Sequence, residues 1–304
     1  MKKKQITKLS NGEVIDLSRQ GKRKLKRLHY EEEKFIAKKI LEAPPFSAER
    51  MNLMQQGYDL VNDIMPWYLP QVNISYGADE KSVGIVIGLL KGSGKKKLVY
   101  EAGVGTGYSC EHFAELPNVS VRGCDIVLCD RVKLLMDKHE KLLVEKDDLY
   151  HNLKKLKDNS VDCFYADNVI EHMLPDEFPY ILRVLSKKMK KNGLLVLVIP
   201  NKLVGPGDVS KYFLKMGENA EGFHFMEMSY RETLAKFKRA GIVPGYFIWL
   251  DKENNIRYVK DKKGILNKIK VWAESLICLF IKDADRRKRI FRRMAMSYYI
   301  LIKK

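Results

Sequence analysis

"LVYEAGVGTGYS", residues 98–109, sets three glycines at alternate positions behind a short apolar run, with Glu101 two residues before the first. An apolar run that breaks into glycines reads as a strand entering a tight turn, and such turns commonly lie beneath a nucleotide. The spelling of the loop narrows the choice. A G-x-x-x-x-G-K-[ST] phosphate loop needs a lysine that this stretch lacks. The pattern G-x-G-x-x-G, started at Gly103 and Gly105, would need a third glycine where Tyr108 stands. What remains is G-x-G-x-G preceded by an acid. Gly103, Gly105 and Gly107 let the backbone curl closely beneath a ligand, while the Glu101 carboxylate attracts a cation such as an ammonium or sulfonium. A nucleoside bearing an amino acid fits both. Asp125 follows the next apolar stretch, twenty residues beyond Gly105. In nucleotide-binding α/β sheets a carboxylate at that place accepts from the ribose hydroxyls.

Working outward, residues 30–43 and 47–65 have helical periodicity, the first stopped by Pro44-Pro45 and the second capped by Ser47 and ended before Pro66. Residues 79–94 form a third helix closed by glycines. From Leu98 strands and helices alternate: strands at 98–103, 119–127, 142–146, 160–168 and 193–201, with helices from Tyr108, near 131–142, over 177–191 and over 229–241. "PGYFIWL" (244–250) and "MSYYILIKK" (296–304) close the sheet. The pattern predicts an α/β fold, an open, mostly parallel, doubly wound sheet of seven strands. The expected organisation is a basic helical extension (1–78), a nucleoside-binding core (79–251), a basic helical insertion (252–295) and a last strand (296–304).

Composition limits the setting. The longest apolar runs, 83–90 and 276–281, fall well short of the roughly 20 residues a spanning helix needs. The basic N-terminus has no apolar segment behind it, so no export signal is read. Five scattered cysteines, with no C-x-x-C pair, argue against a disulfide framework or zinc ribbon and fit a reducing cytoplasm. The net charge of +18 belongs to the ends: residues 1–30 hold ten Lys/Arg against two acids, and residues 252–304 hold sixteen against five. The middle is close to neutral. A neutral core would leave the phosphates of a nucleic acid uncompensated near the chemistry, which disfavours nucleic acid as the substrate.

"VYEAGVGTGYS", "GCDIV", "LKDNSVDCFYADNVIEHM", "LLVLVIPN" and "HFMEMSYRETLAKFKRAGI" together resemble class I S-adenosylmethionine-dependent methyltransferases, nearest to the group of ubiquinone-pathway and sugar-modifying O-methyltransferases. The resemblance covers about residues 80–250 and the last strand. It implies a Rossmann-like seven-stranded sheet and S-adenosyl-L-methionine as cofactor, leaving S-adenosyl-L-homocysteine. It further implies that Glu101, Gly103, Gly105 and Gly107 lie beneath the methionine portion, that Asp125 binds the ribose, that Asp147 or Asp148 accepts from the adenine amino group, with Asp148 preferred, and that Asn168 faces the reacting methyl.

Methyl transfer from a sulfonium is an in-line displacement, in which the protein supplies alignment and, for a hydroxyl nucleophile, a base. "NVIEHM" places Glu171 and His172 at a strand end, and "EGFHFMEM" places His224 and Glu227 after the fifth strand; Glu171, His172 and His224 are the catalytic candidates. Glu227, with Tyr58, Trp67, Tyr68 and Tyr76 from an aromatic segment expected to form an apolar lid, is assigned to the substrate pocket. Some relatives of the resembled group hold a divalent ion through E-x-x-E-H and later histidines. Here Asn168 replaces the first glutamate, which weakens a site for a hard cation, and no metal is expected. The acceptor is expected to be an oxygen, ahead of a nitrogen, on a small molecule, a sugar or a lipid-linked compound. The alternatives are an RNA methyltransferase with basic arms and a non-catalytic S-adenosylmethionine-binding protein. Residues 264–282 set Ile265, Ile269, Trp272, Leu276, Leu279 and Phe280 along one helical stripe beside the basic run 283–293. Two readings stand: a helix lying in an anionic membrane surface, with the protein peripheral at the inner face of a membrane, or a helix that packs on the sheet and roofs the pocket.

Overall fold

A computed structural model describes residues 6–69, 80–91 and 94–303. In chain order the elements are β1 (Ile6–Lys8), β2 (Val14–Asp16), α1 (Lys22–Glu42), α2 (Ala48–Tyr68), α3 (Glu80–Leu90), β3 (Lys97–Ala102), α4 (Tyr108–Ala114), β4 (Val119–Asp125), α5 (Asp130–Lys138) and β5 (Leu142–Lys146). There follow α6 (Leu149–Lys155), β6 (Val161–Asp167), α7 (Phe178–Lys188), β7 (Met189–Val198), α8 (Tyr230–Arg239), β8 (Ile242–Pro244), β9 (Tyr246–Leu250), β10 (Ile256–Lys260), α9 (Ile265–Phe280), α10 (Ala284–Arg293) and β11 (Tyr298–Lys303).

Seven strands form the central sheet in the order β5-β4-β3-β6-β7-β11-β8. The first five are parallel, and β11 runs antiparallel between β7 and β8. Successive residues of a strand face opposite sides, so Val99, Tyr165 and Val196 pack with α3, α4 and α5, while Tyr100, Phe164 and Leu195 pack with α6, α7 and α8. Burial on both faces is why these strands read as continuous apolar runs. The strand order reverses between β3 and β6, and the crevice at such a reversal is where open α/β sheets bind ligands. A third apolar cluster, including Leu25, Ile40, Leu60, Ile64 and Phe223, fastens α1 and α2 over that end of the sheet.

Three details depart from the expectations. α2 continues through Pro66 to Tyr68. The proline removes one helical donor, but Met65 and Tyr68 are buried and the Tyr68 hydroxyl bonds His29, so packing outweighs the lost bond. Only Ile242–Pro244 of the "IVPGYFIWL" stretch joins the main sheet; Tyr246–Leu250 leaves it to pair with β10 in a separate hairpin, turned by Asp251, whose carboxylate accepts from the amides of Glu253 and Asn255. The basic run 22–27 is the start of α1, which begins well before Tyr30. No described helix is long and apolar enough to cross a membrane.

Candidate active site

The carboxyl ends of β3, β4 and β6 deliver Glu101, Asp125 and Asp167 to one cleft of about 750 Å³. Gly103, Gly105 and Gly107 all have positive φ (64°, 52° and 77°), the left-handed backbone that only glycine adopts without strain. The turn thus leads β3 directly into α4. Burial pushes the Glu101 carboxyl up to about 8, even though its oxygens accept from Ser109 and Cys110. Asp125 accepts from the Gly105 amide at 2.8 Å and the Val127 amide at 3.0 Å, and burial raises its pKa. Asp125 therefore pins the glycine loop as well as facing the cleft.

Asp147 and Asp148 both line the cleft. Asp148 caps α6, accepting from the His151 amide at 3.0 Å and lying 2.5 Å from its ring Nδ1. Burial pushes the Asp147 carboxyl up, but hydrogen bonds from Lys155 and Asn152 outweigh it and hold the pKa below the usual carboxylate range. Asn168 also reaches the cleft, at φ 51°, and donates to Asp167 at 2.7 Å.

The other half of the cleft is built around two histidines. The rings of His172 and His224 meet edge to face with centroids 4.7 Å apart, and Tyr58 packs on His172. His172 Nδ1 lies 3.0 Å from the Phe223 carbonyl, so this nitrogen carries the proton and Nε2 the lone pair. Burial, reinforced by His224, drives the pKa of His172 down to about 3, so the ring is neutral. His224 behaves oppositely. Burial works against its charged form, but a 2.6 Å hydrogen bond from Nδ1 to Glu227 and the charges of Glu171, Glu227 and Asp208 raise its pKa above the ordinary imidazole value.

Beneath them, Glu171 is fully buried and neither carboxylate oxygen has a hydrogen-bond partner. Burial lifts its pKa to about 8. One ligand atom from each of Glu171, His172 and His224 lies within 4.8 Å of the others, close enough to share a metal ion.

The remaining expected substrate residues divide. Tyr58 and Tyr68 line the cleft; Trp67 does not, and packs instead at the margin of the α1–α2 cluster. Glu227 stands behind His224 and not on the cleft wall, accepting also from the Gly207 amide at 2.6 Å. Tyr76 lies outside the described residues. Nor is the wall that α1 and α2 give the cleft simply apolar: His29 and Glu33 of α1 reach it, with His29 Nδ1 2.5 Å from the Tyr68 hydroxyl and Nε2 2.5 Å from Glu33. These two, with Asp167 and Asp208, were missed in the sequence. Asp167 ends a strand as Asp125 does, and that signal was available; His29 and Glu33 sit in a charged helix with nothing local to mark them.

An acid at each of three neighbouring strand ends, beside a glycine turn, defines a nucleoside-binding α/β enzyme. Residues 100–197, about a third of the chain, match the family model described as a methyltransferase domain. Over those residues the chain carries a methyltransferase domain, with S-adenosylmethionine as its cofactor. No curated protein matches it. Among solved structures it is similar to the 1,6-didemethyltoxoflavin-N1-methyltransferase of Burkholderia thailandensis (14% identity, TM-score 0.48, 71% of this chain and 89% of that one). It is also similar to geranyl diphosphate C-methyltransferase from Streptomyces coelicolor A3(2) (14%, 0.47, 86% and 85%) and to a methyltransferase from Archaeoglobus fulgidus (18%, 0.46, 73% and 91%).

Proposed function

We propose that the enzyme methylates an oxygen nucleophile of a small molecule, a sugar or a lipid-linked acceptor, with His224 as the base. The observation that carries this reading is the His224–Glu227 pair at 2.6 Å on the acceptor side of the cleft. S-adenosylmethionine supplies an electrophilic methyl. Glu101 meets the amino group of its methionine portion, a cation that would return the buried carboxyl to its charged form. Asp125 accepts from the ribose, Asp147 or Asp148 from the adenine, and Asn168 borders the methyl. His224 then takes the acceptor's hydroxyl proton on Nε2 as the new O–C bond forms and the S–C bond breaks. Glu227 keeps Nδ1 protonated and stabilises the resulting imidazolium. His172, neutral and fixed by the Phe223 carbonyl, positions the base through the edge-to-face contact of its ring with that of His224.

A lipid-linked acceptor would by itself require the enzyme at a membrane face; the other two make no such demand. Incubating the protein with methyl-labelled S-adenosylmethionine and fractionated extract of its own cells separates them. Label is expected in the organic-soluble or the small water-soluble fraction. Label in RNA would overturn the reading, and cofactor binding with no label in any fraction would leave a binding protein in place of an enzyme of this kind.

A second reading rests on Glu171. Its two buried, unpartnered oxygens are satisfied either by a proton on the carboxyl or by an ion shared with His172 and His224. Two imidazoles and one carboxylate suit a zinc- or cobalt-like ion better than magnesium, and the Phe223 carbonyl and Glu227 would hold the two rings in ligand orientation. The ion and the base compete for His224 Nε2. Cobalt titration decides: a visible absorption band lost in Glu171→Gln, with turnover abolished by chelator, would favour the ion. No band and chelator-resistant turnover would leave His224 as the base.

A further inference from the structure

α9 is inside out. Its residues Asn267, Lys270 and Glu274, one helical face, are buried, while Ile265, Ile269, Trp272, Leu276, Leu279 and Phe280 form an exposed ridge on the opposite face, Trp272 being 71% and Phe280 74% exposed. Apolar side chains normally turn inward along such a stripe. Here the polar face is fixed to the body by specific bonds. Lys270 donates to the carbonyls of Ala295 (2.8 Å) and Ile248 (3.2 Å). Glu274 accepts from Asn201 (3.0 Å) and from the amides of Tyr230 (2.6 Å) and Arg231 (3.1 Å). Asn267 bonds Tyr230, Asp261 and the Tyr246 carbonyl. Rolling the helix to hide its ridge would break all of these and leave buried polar groups unpaired. No residue of 264–293 lines the cleft, so the helix is not a roof over it.

The ridge is rimmed by one sign of charge. Lys262, Lys263, Lys268 and Lys282 flank it, and α10 adds Arg286, Lys288, Arg289, Arg292 and Arg293, all exposed; the exposed acids of the segment are Asp283 and Asp285. Two copies meeting ridge to ridge would bring two basic rims together, which opposes a dimer through this face. A nucleic acid would use the rim but gain nothing from the ridge. Aromatic and aliphatic side chains within a cationic border match the acyl–headgroup boundary of a bilayer containing anionic lipid.

We infer that α9 and α10 form a membrane-docking surface for anionic lipid, α9 lying in the interface with Trp272 and Phe280 inserted and the α10 arginines on the headgroups. This goes beyond the choice of acceptor and holds whichever is methylated. The surface is tied to the active site, because Asn201, which donates to Glu274, and Leu203, whose carbonyl accepts from Arg287, begin the loop that reaches the cleft at Gly207 and Asp208.

The test is co-sedimentation of the full chain with vesicles of phosphatidylcholine alone or with about 30% phosphatidylglycerol. The protein is expected to sediment with the anionic vesicles and to stay in solution with the neutral ones. The double variant Trp272→Glu/Phe280→Glu is expected to lower the partition coefficient by about 10-fold or more, and Arg286→Glu/Arg289→Glu to lower it and flatten its dependence on anionic lipid. Both pairs are exposed, and unchanged S-adenosylhomocysteine affinity verifies that the variants fold. No sedimentation of the unaltered chain, or sedimentation untouched by Trp272→Glu/Phe280→Glu, would overturn the inference. So would a dimer in ultracentrifugation that the same pair dissolves, since the ridge would then belong to a second copy.

Discussion

Replacing His224 by Ala is expected to slow methyl transfer by about 10²-fold or more while the cofactor binds as before. The size follows from the task. A hydroxyl is a poor nucleophile until its proton leaves, and His224 is the cleft histidine whose surroundings raise its basicity, through the Glu227 bond and the nearby carboxylates. His172, starved of solvent and driven to about 3, is a far weaker base. His172→Ala should therefore cost less, and mainly in acceptor KM. The pH dependence gives an independent check. A base with raised pKa is protonated, and idle, below that pKa, so the rate should climb with pH through a value above 6.5, the ordinary imidazole value. Glu227→Gln removes the charge that supports the imidazolium, so the limb should move to lower pH as the maximal rate falls. Labelled-methyl incorporation at several pH values measures both. A rate in His224→Ala near that of the unaltered chain would remove His224 from the chemistry.

Asp125→Ala should weaken cofactor binding by about 1.5–3 kcal/mol, roughly 10- to 150-fold in affinity. Two losses add. The ribose gives up charge-assisted hydrogen bonds, and the glycine loop gives up the acceptor that holds the Gly105 amide at 2.8 Å. Asp125→Asn keeps an oxygen for the loop but removes the charge, and should fall between. Calorimetry with S-adenosylhomocysteine reads the effect directly, without knowledge of the acceptor. Equal affinity in Asp125→Ala would place the ribose elsewhere.

The half of the cleft around the glycine turn was legible because its signals are local. A strand, a turn and a helix are written contiguously, so the meeting of Glu101, the glycine turn and Asp125 at one end of the sheet could be read from spacing. The half around the histidines is assembled from distant stretches. Glu33 meets the Phe223 amide across 190 residues, and nothing around Glu33 in the sequence separates it from its neighbours Glu31 and Glu32. The direction of α9 was hidden for the same reason. Its stripe is plain in the sequence, but the groups that bury Lys270 and Glu274 come from β9, α8 and the turn before β11. Pro66 misled because its local cost is certain, while the burial of Met65 and Tyr68 that offsets it depends on α1.

The place of β11 bears on how the chain is made. Of the seven strands of the sheet it comes last in chain order, yet it lies between β7 and β8. Until residues 298–303 emerge from the ribosome, Leu194–Val198 presents an unpaired apolar border and β8, three residues long, has no strand to join. Five strands can assemble early, but the nascent protein must wait with that border open, the state in which a growing chain is most exposed to sticking or to capture by a chaperone.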